Sequence, residues 1–234
     1  MANELLPTAS ERFLNGILPE NPVYRQVLGM CPTLAVTNTI AGAVTMAGAT
    51  AFVLVCSNLL TSLMRKHLQP HLRILVFTVS IAAFVTLADR MLAAFMPAMS
   101  KLLGPYIPLI IVNCIIIARC EICSAKQGPI ASAADGLGQG LGFLLGLLTI
   151  SIPREILGFG TILQGWAGVG NQGIHVLPAS FPNWNVMALA PGAFFTLGIL
   201  MGLVNWAVAA RERRAAKAVL AVQPAGTQAS EVNP

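Results

Sequence analysis

Long apolar stretches with few charges constrain this chain more than any other feature of its sequence. Runs of about 20 such residues are long enough to cross a hydrocarbon core of about 30 Å, and they recur along most of the chain. Of the 234 residues, 56% are hydrophobic and only 10% are charged, against about 25% charged in soluble domains. The sequence therefore predicts an all-α polytopic membrane protein.

The apolar runs divide into six predicted transmembrane helices. The first boundary is the hardest to place, because "TNTIAGAVTMAGAT" is small and polar without an obvious turn. We expect a tail at residues 1–22, a transmembrane domain at 23–210, and a basic, disordered tail at 211–234. The predicted spans are residues 28–49, 50–64, 74–97, 103–118, 137–157 and 186–209.

The distribution of Lys and Arg predicts that both termini are cytoplasmic. Six spans put both termini on one side, together with the loops "MRKHLQPHLR" and "ARCEICSAKQGP", and cytoplasmic loops carry an excess of Lys and Arg. All but three of the 14 Lys and Arg residues fall on that side, the exceptions being Arg90, Lys101 and Arg154. This bias explains the net charge of +5, so no nucleic-acid partner is expected.

Two similar segments suggest an internal repeat. Both "LGMCPTLAVTN" (28–38) and "LGPYIPLIIVNC" (103–114) contain Leu-Gly, a proline and an apolar stretch that ends at a polar residue. Each opens a block of three spans, so the second block must enter the membrane from the opposite face. The sequence predicts a 3+3 inverted repeat, with repeats at about 23–98 and 99–210.

Pro32 and Pro108 predict broken helices at the first and fourth spans, because proline removes a backbone hydrogen bond. A kink is the simpler alternative. Inverted-repeat folds bind their ligands where such helices break, near the middle of the membrane. Cys31 and Cys114 lie close to these prolines, and we expect the two thiols to approach each other there.

The five cysteines argue against a disulfide framework, because their number is odd. Cys56 is expected to be a small hydrophobic residue, and Cys120 and Cys123 have the spacing of a redox or metal half-site without a second pair. Cys31 and Cys114 are the stronger candidates for metal ligands. A 2Fe–2S cluster takes four ligands, so a second protein chain would have to supply two.

Ionisable residues inside the membrane usually mark function or a structural pair. Asp89-Arg90 and Arg154-Glu155 are predicted near the outer ends of their spans, where we expect anchoring rather than ion conduction. Asp135 is predicted to begin the fifth span, either as a helix cap or as an ion ligand.

Several motifs, in this order, resemble the RnfE/NqrD family of membrane subunits. Proline after the cysteine in "GMCPTLAVT", together with "LAPGAFFTLG", favours RnfE over NqrD. The motifs extend from about residue 21 to 202 and are "NPVYRQVLGMCPTLAVTNT", "IPLIIVNCIIIARCE", "AKQGP", "AADGLGQGLG", "PREILGFGT" and "APGAFFTLG".

The resemblance implies a translocase subunit of an ion-translocating ferredoxin:NAD oxidoreductase in the bacterial inner membrane, without a complete active site in this chain. It implies that RnfA is an inverted-topology partner sharing a 2Fe–2S cluster, and that RnfB, RnfC, RnfD, RnfG and the lipid bilayer are further partners. The family's ligands fall on Cys31 and Cys114, and Asn38 and Asn113 are candidates to donate hydrogen bonds to the cluster. Electron transfer would be coupled to Na⁺ or H⁺ movement by rocking of the repeats.

Two features depart from the family pattern or imitate another. Cys120 and Cys123 stand where small or apolar residues are expected. This leaves open whether the chain binds an additional ligand on its cytoplasmic face or simply tolerates two more thiols in a reducing compartment. "AGAT" (47–50) echoes the site of covalent FMN in other subunits, but we expect no flavin here and interpret Gly48 and Ala49 as small residues for close helix packing.

Three alternatives remain open. The chain could be an NqrD-like subunit of a sodium-pumping NADH:quinone oxidoreductase. It could be a redox-inert ion transporter or channel half in which Cys31 and Cys114 only pack, or an assembly scaffold without a cofactor. Iron content and its loss on substitution of either cysteine distinguish these alternatives.

Overall fold

The computed structural model describes residues 13, 14, 16, 20–64, 72–124, 128–162, 174–175 and 185–222. A 3₁₀ helix (Gly104–Ile110), a π-helical turn (Cys120–Ser124) and a short antiparallel strand pair, β1 (Thr161–Ile162) and β2 (Ile174–His175), accompany the α-helices. In these residues the α-helices are α1 (Met30–Val36), α2 (Ile40–Met64), α3 (Arg73–Phe95), α4 (Pro97–Leu103), α5 (Cys114–Arg119), α6 (Pro129–Phe159), α7 (Asn185–Ala188) and α8 (Ala190–Val222).

The described helices make this a multi-pass membrane protein of the all-α class. Among them, α2, α3, α6 and the Ala190–Arg211 part of α8 are long and apolar enough to cross a membrane. Pro97–Ile110 and Cys114–Ile122 form a pair bent by 40° that counts as a fifth span if it crosses as one broken helix. The 3+3 arrangement of six spans stays a prediction.

The break between the first two helices lies earlier than expected. Residues 28–64 divide at Thr37–Thr39 rather than near residue 50, so α1 has only 7 residues and α2 has 25. The Thr39 hydroxyl accepts a hydrogen bond from the Gly42 N–H at 3.2 Å, which caps the start of α2. Pro32 lies in the first turn of α1, where proline costs no helical hydrogen bond.

Helix α6 begins before the predicted start at residue 137. Gly128 is its N-cap and Pro129 its first residue, a favoured way to begin a helix because the missing N–H has no intrahelical partner. Asp135 therefore lies inside the helix, and the expectation that it caps the fifth span is wrong.

The chain separates into two compact units, Met1–Thr196 and Leu197–Pro234. In the second unit the described residues continue α8 to Val222. The basic tail that we expected to be disordered from residue 211 is therefore helical as far as Val222, while residues 223–234 lie outside the described residues. Most of the predicted N-terminal tail lies outside them as well.

Glycines let α6 approach two neighbours very closely. A Cβ on Gly136 or Gly140 would meet α2, at Asn58 and Val55 or at Ala51. A second row of glycines on α6 contacts the chain that leads into α1. A side chain at any of these glycines would displace that segment. That row consists of Gly138, Gly142 and Gly146, opposite Phe13, Gly16, Pro22 and Val23.

Contacts at both ends of α6 define the directions of the helices. The N–H of Ile40 donates to Glu155, and the side chain of Asn58 donates to the carbonyl of Ser132. Helix α2 therefore runs antiparallel to α6. Helix α3 buries one stripe against the bundle, formed by Phe77, Ile81, Val85 and Ala88.

Gly140→Ala is expected to destabilise the chain, because the added methyl group would lie 2.7 Å from the Cβ of Ala51. Overpacking costs about 1–3 kcal/mol, partly offset by the higher helix propensity of alanine. The expected result is a lower midpoint of thermal unfolding for the purified chain in detergent.

Gly48→Ala is the matched control, since an added Cβ at Gly48 meets nothing within 4 Å. The close packing that we expected at Gly48 is therefore absent within the described part of this chain. We expect this variant to be neutral or slightly stabilised, and an equal loss for the two variants would contradict the α2–α6 contact.

Candidate cysteine site at the broken helices

The two candidate ligands lie on short helices that meet at their first residues. Cys31 is the second residue of α1 and Cys114 is the first residue of α5. The backbone N–H of Gly29, the N-cap of α1, donates to the Sγ of Cys114 at 2.9 Å. With about 3.8 Å between successive Cα atoms, the Cα of Cys31 lies no more than about 12 Å from that sulfur.

Only glycine fits at residue 29. Its φ of +74° lies in the left-handed region, which costs a residue with a side chain free energy. A Cβ there would also lie 2.5 Å from the Cδ1 of Ile115 and 3.1 Å from the Cε2 of Phe143. The absence of a side chain therefore lets the N–H of residue 29 reach Cys114.

The turn before α1 is fixed to α6 by Asn21. Its Nδ2 donates to the carbonyl of Gly142 at 3.1 Å, and its Oδ1 accepts from the N–H groups of Val23 and Tyr24 at 3.0 and 3.3 Å. Sequence reasoning gave Asn21 no role of its own, although the "NP" pair that begins the first motif was the available signal.

Asn113, next to Cys114, is the N-cap of α5. Its Oδ1 accepts from the N–H of Ile115 at 3.2 Å and caps the helix. Its Nδ2 is buried without a hydrogen-bond partner in the described part of the chain. Asn38 is exposed and follows the C-terminal end of α1, about 10 Å along the axis from Cys31.

Both candidate thiols are accessible at the surface of this single chain. Cys31 and Cys114 are exposed and unbridged, whereas Asn113 behind them is 2% exposed. The site is therefore open on the side where the sulfurs lie and closed by protein on the other.

The short helices run from this meeting point towards opposite ends of α6. Thr37 is the C-cap of α1 and contacts Arg154. Arg119 is the last residue of α5 and contacts Asp135. At about 1.5 Å per residue, Asp135 and Arg154 are about 28 Å apart along α6. The cysteines therefore lie between two charged contacts whose separation is close to the thickness of a hydrocarbon core, about 30 Å.

The Asp135 end of α6 holds a buried ion pair. Arg119 lies 3.4 Å from Asp135 and 3.2 Å from Glu20, and the side chains of Arg119 and Asp135 are 7% and 2% exposed. Arg73 and Glu121 form a more exposed pair at 2.9 Å. These contacts bring the starts of α3 and α6, the end of α5 and the chain before α1 together at one end of the bundle.

The other end of α6 anchors two helix breaks. Arg154 donates from Nη1 to the Thr37 hydroxyl at 2.6 Å and from Nε to the carbonyl of Met187 at 3.1 Å. Its Nη2 lies 3.1 Å from the carbonyls of Ala188 and Leu189. These bonds agree with the anchoring role expected of the Arg154-Glu155 pair.

Asp89 and Arg90 have a different environment. Asp89 is half-buried and lines a cavity of about 190 Å³ with Gly104 and Pro108 among its other walls. Arg90 is exposed. The correspondence between this pair and the pair on α6 stays a prediction.

The remaining cysteines lie on other elements, Cys56 on α2 and Cys120 and Cys123 in the π-helical turn. Cys120 is fully buried, and its Sγ lies 3.5 Å from the Oδ1 of Asn58. The side chain of Cys123 lies outside the described residues, so a CxxC site remains untested. Cys56 is half-buried and unbridged on α2.

Apolar spanning helices and two cysteine-bearing short helices define a multi-pass membrane protein with a broken-helix site. A family model described as "Rnf-Nqr subunit, membrane protein" matches residues 9–201. The chain belongs to this Rnf-Nqr family, and the resemblance inferred from its motifs is confirmed.

Three relatives illustrate the similarity. The chain is 45% identical to the E component of the Na⁺-translocating ferredoxin:NAD⁺ oxidoreductase complex of Acetobacterium woodii, over 82% of this chain and 93% of that protein. It is 43% identical to the E component of the ion-translocating oxidoreductase complex of Methanosarcina acetivorans, over 88% and 92%. It is 38% identical to the D component of the Na⁺-translocating NADH-quinone reductase of Chlamydia trachomatis, over 86% and 95%.

Arg119→Met is expected to destabilise the chain strongly, because it removes the cation that faces the buried Asp135 carboxylate. Breaking a buried ion pair from one side costs about 3–5 kcal/mol. Thermal unfolding in detergent measures the loss.

Arg73→Gln is the control for this variant. It breaks a pair whose side chains are 27% and 46% exposed, and exposed pairs contribute about 0–1 kcal/mol. Equal losses for the two variants would show that the Arg119 contacts do not stabilise the bundle.

Proposed function

We propose that this chain is the RnfE-type membrane component of a translocase, an ion-translocating ferredoxin:NAD⁺ oxidoreductase, and that Cys31 and Cys114 supply half the ligands of a 2Fe–2S cluster. The other half would come from RnfA, an inverted-topology partner. The observation that carries the proposal is the Gly29 N–H bond to the Cys114 sulfur, which joins the starts of the two cysteine-bearing helices.

The donor set fits half of such a cluster. Thiolates are the usual protein ligands of iron–sulfur clusters, and N–H donation to their sulfurs tunes the reduction potential. Among the described residues, no group of three or more His, Cys, Asp or Glu is placed to hold a metal ion. Two ligands from this chain therefore require further ligands from another.

The exposure of Cys31 and Cys114 supports a shared site. A cofactor held by this chain alone would be expected to sit inside the fold, where its own side chains exclude lipid and solvent. Here the sulfurs lie on the surface while Asn113 is buried behind Cys114. A second chain would complete both the ligand set and the enclosure.

The opposite directions of α1 and α5 support the inverted repeat. Each begins at the cysteine site and ends at an arginine contact at one end of α6. In the proposed arrangement, residues 23–29 with α1 form one broken span, and Pro97–Ile110 with α5 forms the other. Helices α2 and α3 complete the first repeat, and α6 and α8 complete the second.

This chain's own residues would hold and orient the redox centre. When bound, a 2Fe–2S cluster carries one electron at a time without forming a bond to a substrate. The thiolates of Cys31 and Cys114 would bind it. The Gly29 N–H would donate to the Cys114 sulfur, and the Nδ2 of Asn113 would be available as a second donor. Coupling to Na⁺ or H⁺ movement would follow from rocking of the repeats.

The contacts at the Asp135 end support a cytoplasmic position for the N-terminal segment. We propose the cytoplasmic C-terminus and the bacterial inner membrane from the sequence and the family resemblance. Arg73–Glu121 and Arg119–Glu20 bring the start of α3, the end of α5 and the segment before α1 to the same end. The positive-inside rule supports a cytoplasmic position for that end. RnfB, RnfC, RnfD, RnfG and the lipid bilayer complete the proposed partners. Identities of 45% and 43% to the two E components, against 38% to the D component, favour an RnfE-type over an NqrD-like protein.

Cys31→Ser and Cys114→Ser are each expected to remove one 2Fe–2S EPR signal and the matching iron from the purified complex. The reason is that a serine hydroxyl is a much weaker ligand of iron than a cysteine thiolate. The measurement compares reduced EPR spectra and iron content of complexes shown to be assembled by size-exclusion chromatography.

Cys56→Ser is the matched control, because Cys56 lies on α2 rather than on α1 or α5. The EPR spectrum of this variant should equal the wild-type spectrum. An unchanged signal in an assembled Cys114→Ser complex would favour the redox-inert transporter half. Retained electron transfer in both site variants would favour the scaffold alternative.

A further inference from the structure

A series of hydrogen bonds links Arg154 to the Cys114 sulfur along one face of α1. Arg154 donates to the Thr37 hydroxyl at 2.6 Å, and that hydroxyl donates to the carbonyl of Thr33. The Thr33 hydroxyl donates to the carbonyl of Gly29 at 2.7 Å. The Gly29 N–H then donates to the sulfur at 2.9 Å.

The helical repeat explains why these residues line up. Positions four apart lie on the same face of a helix, which places residues 29, 33 and 37 in one row. Thr33 and Thr37 are both 0% exposed, and a buried hydroxyl without a hydrogen bond costs free energy. Each threonine therefore bonds back along α1, and Thr37 uses its acceptor capacity for Arg154.

Arg154, which binds Thr37 at the far end of this row, also forms hydrogen bonds with a different part of the chain. Three further bonds of Arg154 go to the carbonyls of Met187, Ala188 and Leu189, all at 3.1 Å. The neighbouring Glu155 accepts from the N–H of Ile40 at 2.6 Å, which fixes the start of α2. The row thus connects the segment that precedes α8 to the start of α1.

We propose that Arg154, Thr37 and Thr33 are positioning residues that set the hydrogen bond between Gly29 and the sulfur of Cys114. Through that bond they tune the reduction potential of the centre bound there and couple it to the position of residues 187–189. Because such coupling is reciprocal, a change in the oxidation state at Cys114 would alter the hold on that segment. The redox part of this proposal rests on the proposed function.

Thr33→Val and Thr37→Val test the row with little change of shape, since valine lacks the hydroxyl but has a similar volume. Arg154→Gln tests its far end. The control is Thr50→Val, because Thr50 is 1% exposed and makes the same kind of back-bond, to the carbonyl of Met46 at 2.8 Å, but on α2 and outside the row.

Two readouts on the assembled complex separate this proposal from the proposed function. Hydrogen–deuterium exchange over residues 28–40 needs no cluster, and loss of one bond should speed exchange roughly tenfold. The midpoint potential of the 2Fe–2S signal should become more negative, because a donor to a ligand sulfur is weakened. Thr50→Val should change neither.

Faster exchange together with a shifted potential in all three row variants supports the proposal. Unchanged exchange overturns it, whether or not a cluster is found. Faster exchange with an unchanged potential, in complexes that retain the signal, overturns the link to the sulfur. If the wild-type complex shows no 2Fe–2S signal, the proposed function fails, and the exchange rates alone decide whether the row positions residues 28–40.

Discussion

A broken helix survives inside a bilayer only where protein supplies hydrogen-bond partners for the freed backbone groups, and α6 is central to this in the described structure. Near one end of α6, Glu155 accepts a hydrogen bond from the N–H of Ile40, the first residue of α2. Arg154 donates hydrogen bonds to the carbonyls that precede α8. Further along α6, the carbonyl of Gly142 accepts a hydrogen bond from the side chain of Asn21, and this bond fixes the turn into α1. At the cysteine site these contacts hold α1, because Asn21 fixes the turn before it and Arg154 also binds Thr37 at its other end.

The glycines of α6 and its polar contacts serve the same arrangement. Gly138, Gly142 and Gly146 let the chain before α1 lie directly against the helix, so that Asn21 reaches a backbone carbonyl. Gly136 and Gly140 admit α2 on another face. Close approach of backbones is a common way to pack helices where lipid offers no hydrophobic driving force. The result is a closely packed helix that separates Asp135 from Arg154 by about 28 Å.

The position of the cysteines follows from the contacts of α6. Helix α1 extends from Cys31 towards Arg154, and α5 extends from Cys114 towards Arg119, so both sulfurs lie well away from the charged ends of α6. The outward exposure of the thiols, with Gly29 and Asn113 behind them, is consistent with the proposed sharing of a cluster with a second chain. A partner with inverted topology would present matching helix starts.

Sequence patterns predicted the membrane class and the family, because apolar length and ordered motifs are local properties. The role of Cys31 and Cys114 as cluster ligands stays a prediction. Sequence patterns did not predict that Arg154 joins residue 37 to residues 187–189, since contacts between distant segments leave no periodic signature. The sequence predicts Asp135 at the start of the fifth span, as a cap or as an ion ligand. Gly128-Pro129 begins the helix instead, and the Asp135 carboxylate lies 3.4 Å from the buried Arg119. The Thr39 cap of α2 is a local sequence signal, but the run of small residues around it hides the break between the two helices.

The most direct test is an experimental density map of the assembled complex, with iron located by anomalous scattering. We predict one compact iron-containing feature bonded to the Sγ atoms of Cys31 and Cys114 and to two ligands from a second chain. Sulfurs of Cys31 and Cys114 that contact only protein or lipid, with no iron between them, would contradict the shared cluster.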